Sequence, residues 1–217
     1  MSDRKVAAFD FDGTITERDT LAGFLRFVGG RSAVARAVAR HGVAMVSGLT
    51  DDAARDAAKE AVLGSVLRGR LDRDVVATGE RYAELLPARF RPEIVERIGW
   101  HTAEGHELVI VSASLDYYLR PVAAALGFTA VIGVEMAVDD DGRITGSLAR
   151  PNVRAAQKAV RLREWLDETE PDDLEPSVPS PGALELWAYG NSSGDDDLLA
   201  LADHPTWVGK RASRNLA

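Results

Sequence analysis

From Val6 to Asp12 the chain reads Val-Ala-Ala-Phe-Asp-Phe-Asp, and Gly13 follows. Such a run predicts a short buried strand that ends in two carboxylates, with a glycine where the chain turns sharply. Carboxylates separated by one residue share one face of a strand. Where the strand is leaving its regular pleat, both can enter one crevice. Whatever this chain folds into must therefore seat Asp10 and Asp12 at a strand end, and must supply cations near them if an anion is to bind there.

The rest of the chain alternates. From about Thr20 to Pro87 it turns alanine-, valine- and arginine-rich with helical spacing, as in Ala53, Ala54, Ala57, Ala58, Ala61 and Val62. Gly29-Gly30, Gly42, Gly48 and Gly69 divide this stretch into three or four helices. Pro92–Ala103 predicts another helix, and Glu107–Ser112 a continuous apolar strand of the kind that helices cover on both faces. Asp116–Leu126 predicts a helix closed by Gly127. Thr129–Val138 and Arg143–Leu148 predict two strands joined by an Asp-Asp-Asp-Gly turn, and Asn152 an N-cap for a helix running to about Asp167. Glu170–Gly182, rich in proline and acids, reads as a loop. Leu184–Tyr189, Leu198–Ala202 and Thr206–Val208 read as strand, helix and strand. Alternation of this kind predicts an α/β fold: a parallel sheet between two helical layers, with an all-helical insert.

Composition narrows the function. The formal net charge of −8 argues against a nucleic-acid binder. The absence of cysteine excludes disulfides, thiolate metal sites and a cysteine nucleophile. The four histidines, at 41, 101, 106 and 204, form no helical pair at metal-binding spacing, so a zinc site is not expected. No apolar stretch approaches the roughly 20 residues of a membrane span, and the N-terminus leaves no room for a signal peptide, so a cytoplasmic location is expected.

In an open α/β sheet, ligands bind outside the carboxyl ends of the strands. Polar residues gather at three such ends: Asp10 and Asp12, Ser112, and Asn191 with Asp195. Lys158 belongs to a fourth segment. Asp10-Phe-Asp-Gly-Thr-Ile-Thr16, Val111-Ser-Ala-Ser114, Lys158 and Gly190-Asn-Ser-Ser-Gly-Asp195 occur in this order. In them the chain resembles the haloacid dehalogenase superfamily, specifically its phosphoserine-phosphatase-like branch. The resemblance implies a Rossmann-like three-layer core made of residues 1–16 and 89–217, and a helical cap over residues 17–88. It implies a magnesium-dependent phosphatase for a phosphorylated small molecule, with Asp10 as nucleophile, Asp12 as general acid and base, and Ser112 and Lys158 binding the phosphoryl oxygens. Magnesium would be held by Asp10, the Asp12 carbonyl and Asn191, with Asp195 supporting it. Asp12 also argues against dehalogenation, because cleaving a carbon–halogen bond needs no proton donor.

Position 191 is Asn where the branch commonly has Asp, which predicts weaker metal binding and leaves open a non-catalytic, phosphate-binding reading. Asp19, Ala113 and Ser114 stand at positions expected to contact substrate. Ala113 and Ser114 replace the usual glycines, so phosphoserine is one candidate among several. Lys59 is the nearest cation to the cap position where the branch carries arginine. Arg26, Arg31, Arg36 and Arg40 lie among Ala33, Val34, Ala37 and Val38. They read as a solvated helix face or, with Val43–Leu49, as a basic amphipathic surface for anionic lipid. The latter would suit a phosphatase of phospholipid or lysophospholipid head groups.

Overall fold

The computed structural model describes residues 4–47, 52–169 and 184–209. Five parallel strands form the central sheet in the order β3-β2-β1-β6-β7. They are β1 (Lys5–Phe9), β2 (Glu107–Leu115), β3 (Ala130–Val134), β6 (Glu185–Gly190) and β7 (His204–Trp207). A separate antiparallel pair joins β4 (Met136–Val138) to β5 (Ile144–Leu148). β1 lies at the middle, with Phe9 paired to Ile110 on one side and Tyr189 on the other. Its apolar residues Val6, Ala7, Ala8 and Phe9 are fully buried, as a strand covered on both faces requires. Strand order reverses about β1, so the crevice above β1 and its neighbours is where such a sheet receives ligands.

Helices α1 (Leu21–Ser47), α2 (Asp52–Leu67) and α3 (Asp72–Ala83) lie between β1 and β2, followed by α4 (Pro92–Ala103). α1 is broken at Gly30, whose φ of 78° only glycine adopts readily. α1 packs on α2, α2 on β5, and α3 on α5 (Asp116–Leu126). Gly64 and Gly79 permit these seams. A Cβ at Gly64 would strike the Gly146 carbonyl, and one at Gly79 the Tyr117 carbonyl. α6 (Ala156–Glu168) and α7 (Asp196–Leu201) complete the helices. No described helix is long and apolar enough to cross a membrane.

Several elements differ from the sequence expectation. β1 stops at Phe9, because the chain leaves the sheet in one irregular turn, Phe11–Ile15, with Gly13 at φ 85°. β2 continues past Ser112 to Leu115, where after a register shift it still pairs with Val134 of β3. Ser112 therefore sits within a strand. The predicted strand Thr129–Val138 is two: β3 joins the sheet and β4 leaves it to pair with β5. α6 begins four residues after Asn152, behind Ala155 at φ 49°, so Asn152 is not its cap. Loop 170–182 and the side chains of Val43–Leu49 lie outside the described residues.

Candidate active site

The turn after β1 brings both of its carboxylates to one cavity of about 320 Å³. Asp10, Asp12, Asp19, Ser112, Ala113, Ser114, Lys158 and Asp195 all line it, together with Arg55, Asp56 and Lys59 of α2, and with Asn152 and Arg154. At its floor lies a buried triad. The Lys158 ammonium donates to Asp10 Oδ1 (2.6 Å) and to Asp195 Oδ1 (2.5 Å), and all three side chains are almost fully enclosed. One ammonium between two carboxylates leaves the group one negative charge in excess.

Asp195 is fully committed. Its second oxygen accepts from the backbone N–H groups of Asn191 (3.1 Å) and Ser192 (2.9 Å) and from Ser192 Oγ (2.9 Å). It thus ties the loop after β6 to Lys158. Burial works to raise its pKa, but Lys158 and these donors hold it below the ordinary carboxylate value. Asp10 lacks that many donors. Burial pushes it up, and Lys158 and the Thr14 hydroxyl (2.9 Å from Oδ2) oppose this without cancelling it. Lys158 itself is held above its usual value, because Asp10 and Asp195 outweigh the cost of burial.

Asp12 has a different environment. Its Oδ1 accepts from Thr20 N–H (2.7 Å) and Thr20 Oγ1 (2.6 Å), and its Oδ2 accepts from the Ser114 hydroxyl. Burial raises its pKa to about 6, against the pull of these hydrogen bonds. Two carboxyls two residues apart therefore differ in kind: one faces an ammonium, the other neutral donors.

Asn191 sits beside the triad, its Oδ1 3.3 Å from Thr14 Oγ1. Gly13 makes room for it, since a Cβ there would overlap the Asn191 amide nitrogen. Among the described residues no cluster of three or more His, Asp or Glu side chains could hold a metal. The nearby donors are nevertheless all oxygen, with one incompletely satisfied carboxylate and an excess negative charge. Such a set fits magnesium, which commonly takes one or two carboxylates and completes its shell with water and phosphate.

Ser112 Oγ accepts from Ser114 N–H (3.1 Å) and is buried at the cavity wall. Asp19 is exposed at the mouth and accepts from Ala22 N–H (3.3 Å). Thr14, Thr20 and Asn152 escaped the sequence reading. The threonines lie in the same run as the aspartates, which was the available signal, whereas Asn152 looked like a helix cap. Lys59, whose helix places it over the cavity, is lowered by burial to about 8. Three of the four histidines gather in one aromatic cluster, none of them lining the cavity. His101 Nδ1 and His106 Nδ1 lie 2.7 Å apart, and Trp187 stacks between His106 and His204.

Residues 7–200 match the haloacid dehalogenase-like hydrolase family. The chain is 36% identical over 203 residues to Protein CicA of Caulobacter vibrioides, covering 91% of this chain and 83% of that one. It is 24% identical over 224 residues to a histidinol-phosphatase of Neisseria meningitidis, covering 94% and 90%. Among solved structures it is similar in fold to a phospho-aspartyl intermediate analogue of phosphoserine phosphatase. The TM-score is 0.58 at 17% identity, over 93% of this chain and 84% of that one.

Proposed function

The chain belongs to the haloacid dehalogenase-like hydrolase family, and from that premise we propose that it is a magnesium-dependent phosphomonoesterase acting through a phospho-aspartate on Asp10. The observation that carries this reading is the Lys158 ammonium, held between Asp10 and Asp195 at the floor of a cavity that Asp12 also enters. Residues 1–16 and 89–217 serve as the catalytic core and 17–88 as the cap.

In the first step an Asp10 oxygen attacks phosphorus and the bond to the leaving oxygen breaks. Asp12, titrating at about 6, gives its proton to that oxygen. In the second step Asp12 takes a proton from a water that attacks the same phosphorus, releasing inorganic phosphate and restoring the Asp10 carboxylate. Lys158 and the Ser112 hydroxyl offset charge on the phosphoryl oxygens. Asp10, the Asp12 carbonyl and Asn191 would hold magnesium, which supplies charge neutralisation and alignment at the phosphoryl group. Asp195 supports that arrangement by fixing Lys158 and the 191–192 backbone.

A cavity of about 320 Å³ is near the lower end of small-molecule sites, which favours a leaving group of few heavy atoms. Its outer wall also carries Asp19 and Arg55, which favours a polar, charged one. Phosphoserine and histidinol phosphate are the first candidates. A second reading, a lipid head-group phosphatase at an anionic membrane surface, draws on α1. Arg26, Arg31, Arg36 and Arg40 are exposed there beside Phe27 (43%) and Val38 (45%).

Phosphate release with magnesium across phosphoserine, histidinol phosphate and a lysophosphatidate tests both, with Asp10→Asn alongside. Turnover that disappears in the variant is the expected result, and the preferred compound chooses between the readings. No release from any of them at high magnesium would turn the assignment toward a phosphate-binding protein disabled by Asn191.

A further inference from the structure

Lys59 belongs to an alanine-rich helix whose pattern makes it an ordinary solvated lysine, yet its ammonium is spent inside the cleft. It donates to the carbonyl of Ala113 and to Asn152 Oδ1 (2.6 Å), and the other end of the same Asn152 amide donates to Asp56 Oδ1 (2.7 Å). Asp56 and Lys59 stand three residues apart on one face of α2, so they grip Asn152 from two sides. Asn152 is 97% buried by its 3% exposure and gives its side chain to nothing else among the described residues.

What Lys59 touches matters more than that it is tied. Ala113 directly follows Ser112, and Asn152 lies on the loop that delivers Lys158 through α6. A single side chain of the inserted helices thereby joins two separate core segments, each carrying a residue proposed to bind the phosphoryl group. Both direct acceptors of the ammonium are neutral oxygens, so its hydrogen bonds tie two segments together, while its charge is also felt by Asp12 and Lys158. Ordering a lysine costs rotamer freedom, which charge-assisted hydrogen bonds at both acceptors offset. With α2 withdrawn, Ala113 O and Asn152 would lose these partners.

We propose that Lys59, with Asp56 and Asn152, is a positioning latch that couples the seating of α2 over the cavity to the alignment of Ser112 and Lys158. The proposal rests on the phosphatase reading for its effect on turnover, but not for its effect on α2. Lys59 is a positioning residue, not a catalytic one.

Hydrogen exchange and steady-state kinetics on Lys59→Met, Asn152→Ala and Lys59→Arg test it in the full-length protein. In the first two variants, the α2 amides should exchange roughly tenfold faster while those of β1 and β2 hold their protection. kcat should fall roughly 10- to 100-fold, as displacements of about 1 Å at a site can do, with KM much less affected. Lys59→Arg, which keeps charge and donors, should recover part of both. Unchanged exchange in α2 overturns the latch, and so does lost protection with an undiminished kcat. If the wild type releases no phosphate, the phosphatase reading fails separately. Orthovanadate affinity then replaces kcat: weakened binding in Lys59→Met supports the coupling, and unaltered binding refutes it.

Discussion

Replacing Lys158 by Met keeps the length of the stem and removes one ammonium from between two buried carboxylates. Asp10 and Asp195 are 5% and 1% exposed, so neither can turn to water for compensation. One of them must take up a proton for the variant to fold. Protonating a carboxyl of ordinary value 3.8 at pH 7 costs about 1.36 kcal/mol for each of roughly three pH units, or about 4 kcal/mol. Breaking a buried ion pair by removing one partner costs about 3–5 kcal/mol, so two routes to the estimate agree. The same protonation at pH 5 costs only about 2 kcal/mol. Above pH 4 the folded variant holds a proton that its unfolded chain lacks. Its stability relative to wild type therefore falls as pH rises. Urea unfolding of both proteins at pH 5 and pH 7, with EDTA present, measures the difference. A deficit below about 1 kcal/mol at pH 7 would refute the reasoning. So would a deficit of equal size at both pH values, which would point to packing in place of charge.

Asn191→Asp should bind magnesium roughly tenfold more tightly by titration calorimetry, because a second carboxylate joins Asp10 near the proposed ion; unchanged affinity would remove residue 191 from the ligand set. His101 is pushed down to about 4 by burial, with the charges of His106 and Arg97 adding. Its folded pKa lies below the unfolded value of 6.5. Stability is therefore complete above pH 6.5 and declines as pH falls toward 4, by about 3 kcal/mol at most. His101→Gln should flatten the wild-type loss between pH 7 and pH 5, and an equally steep loss would place the acid sensitivity elsewhere.

The sheet was legible because its strands obey simple rules. Val6–Phe9 and Leu108–Val111 are continuous apolar runs, and Leu126-Gly127 ends a helix where the glycine adopts a left-handed φ of 78°. Legibility failed where a residue's partner lies far along the chain. Asn152 has the chemistry of an N-cap, and only α2, nearly a hundred residues earlier, makes it a bridge. Lys59 fails for the same reason. β4 leaves the main sheet because Met136 pairs with Leu148, a choice that local alternation cannot register. Among the histidines, 101 and 106 are near in sequence, but Trp187 and His204 reach them only through the pairing of β6 with β7.

The division of labour proposed for the two aspartates shows how much of the chemistry lies beyond the motif that announces it. Asp10 and Asp12 share a strand end, a turn and a cavity, so sequence position cannot make one a nucleophile and the other an acid. Their neighbours can. Asp10 faces the Lys158 ammonium, delivered by a helix that starts 146 positions later and clasped from behind by Asp195. Asp12 faces Thr20, Ser114 and, through Thr20, the buried Tyr118 hydroxyl, none of which carries charge. Burial alone would raise both carboxyls. The ammonium beside Asp10 opposes that rise without cancelling it, while the hydroxyls beside Asp12 leave it near 6, within reach of either protonation state at neutral pH. The difference in neighbours on which the proposed two-step transfer relies is therefore a property of what the sheet order places around β1, and moving either neighbour should cost the proposed mechanism as surely as changing either aspartate.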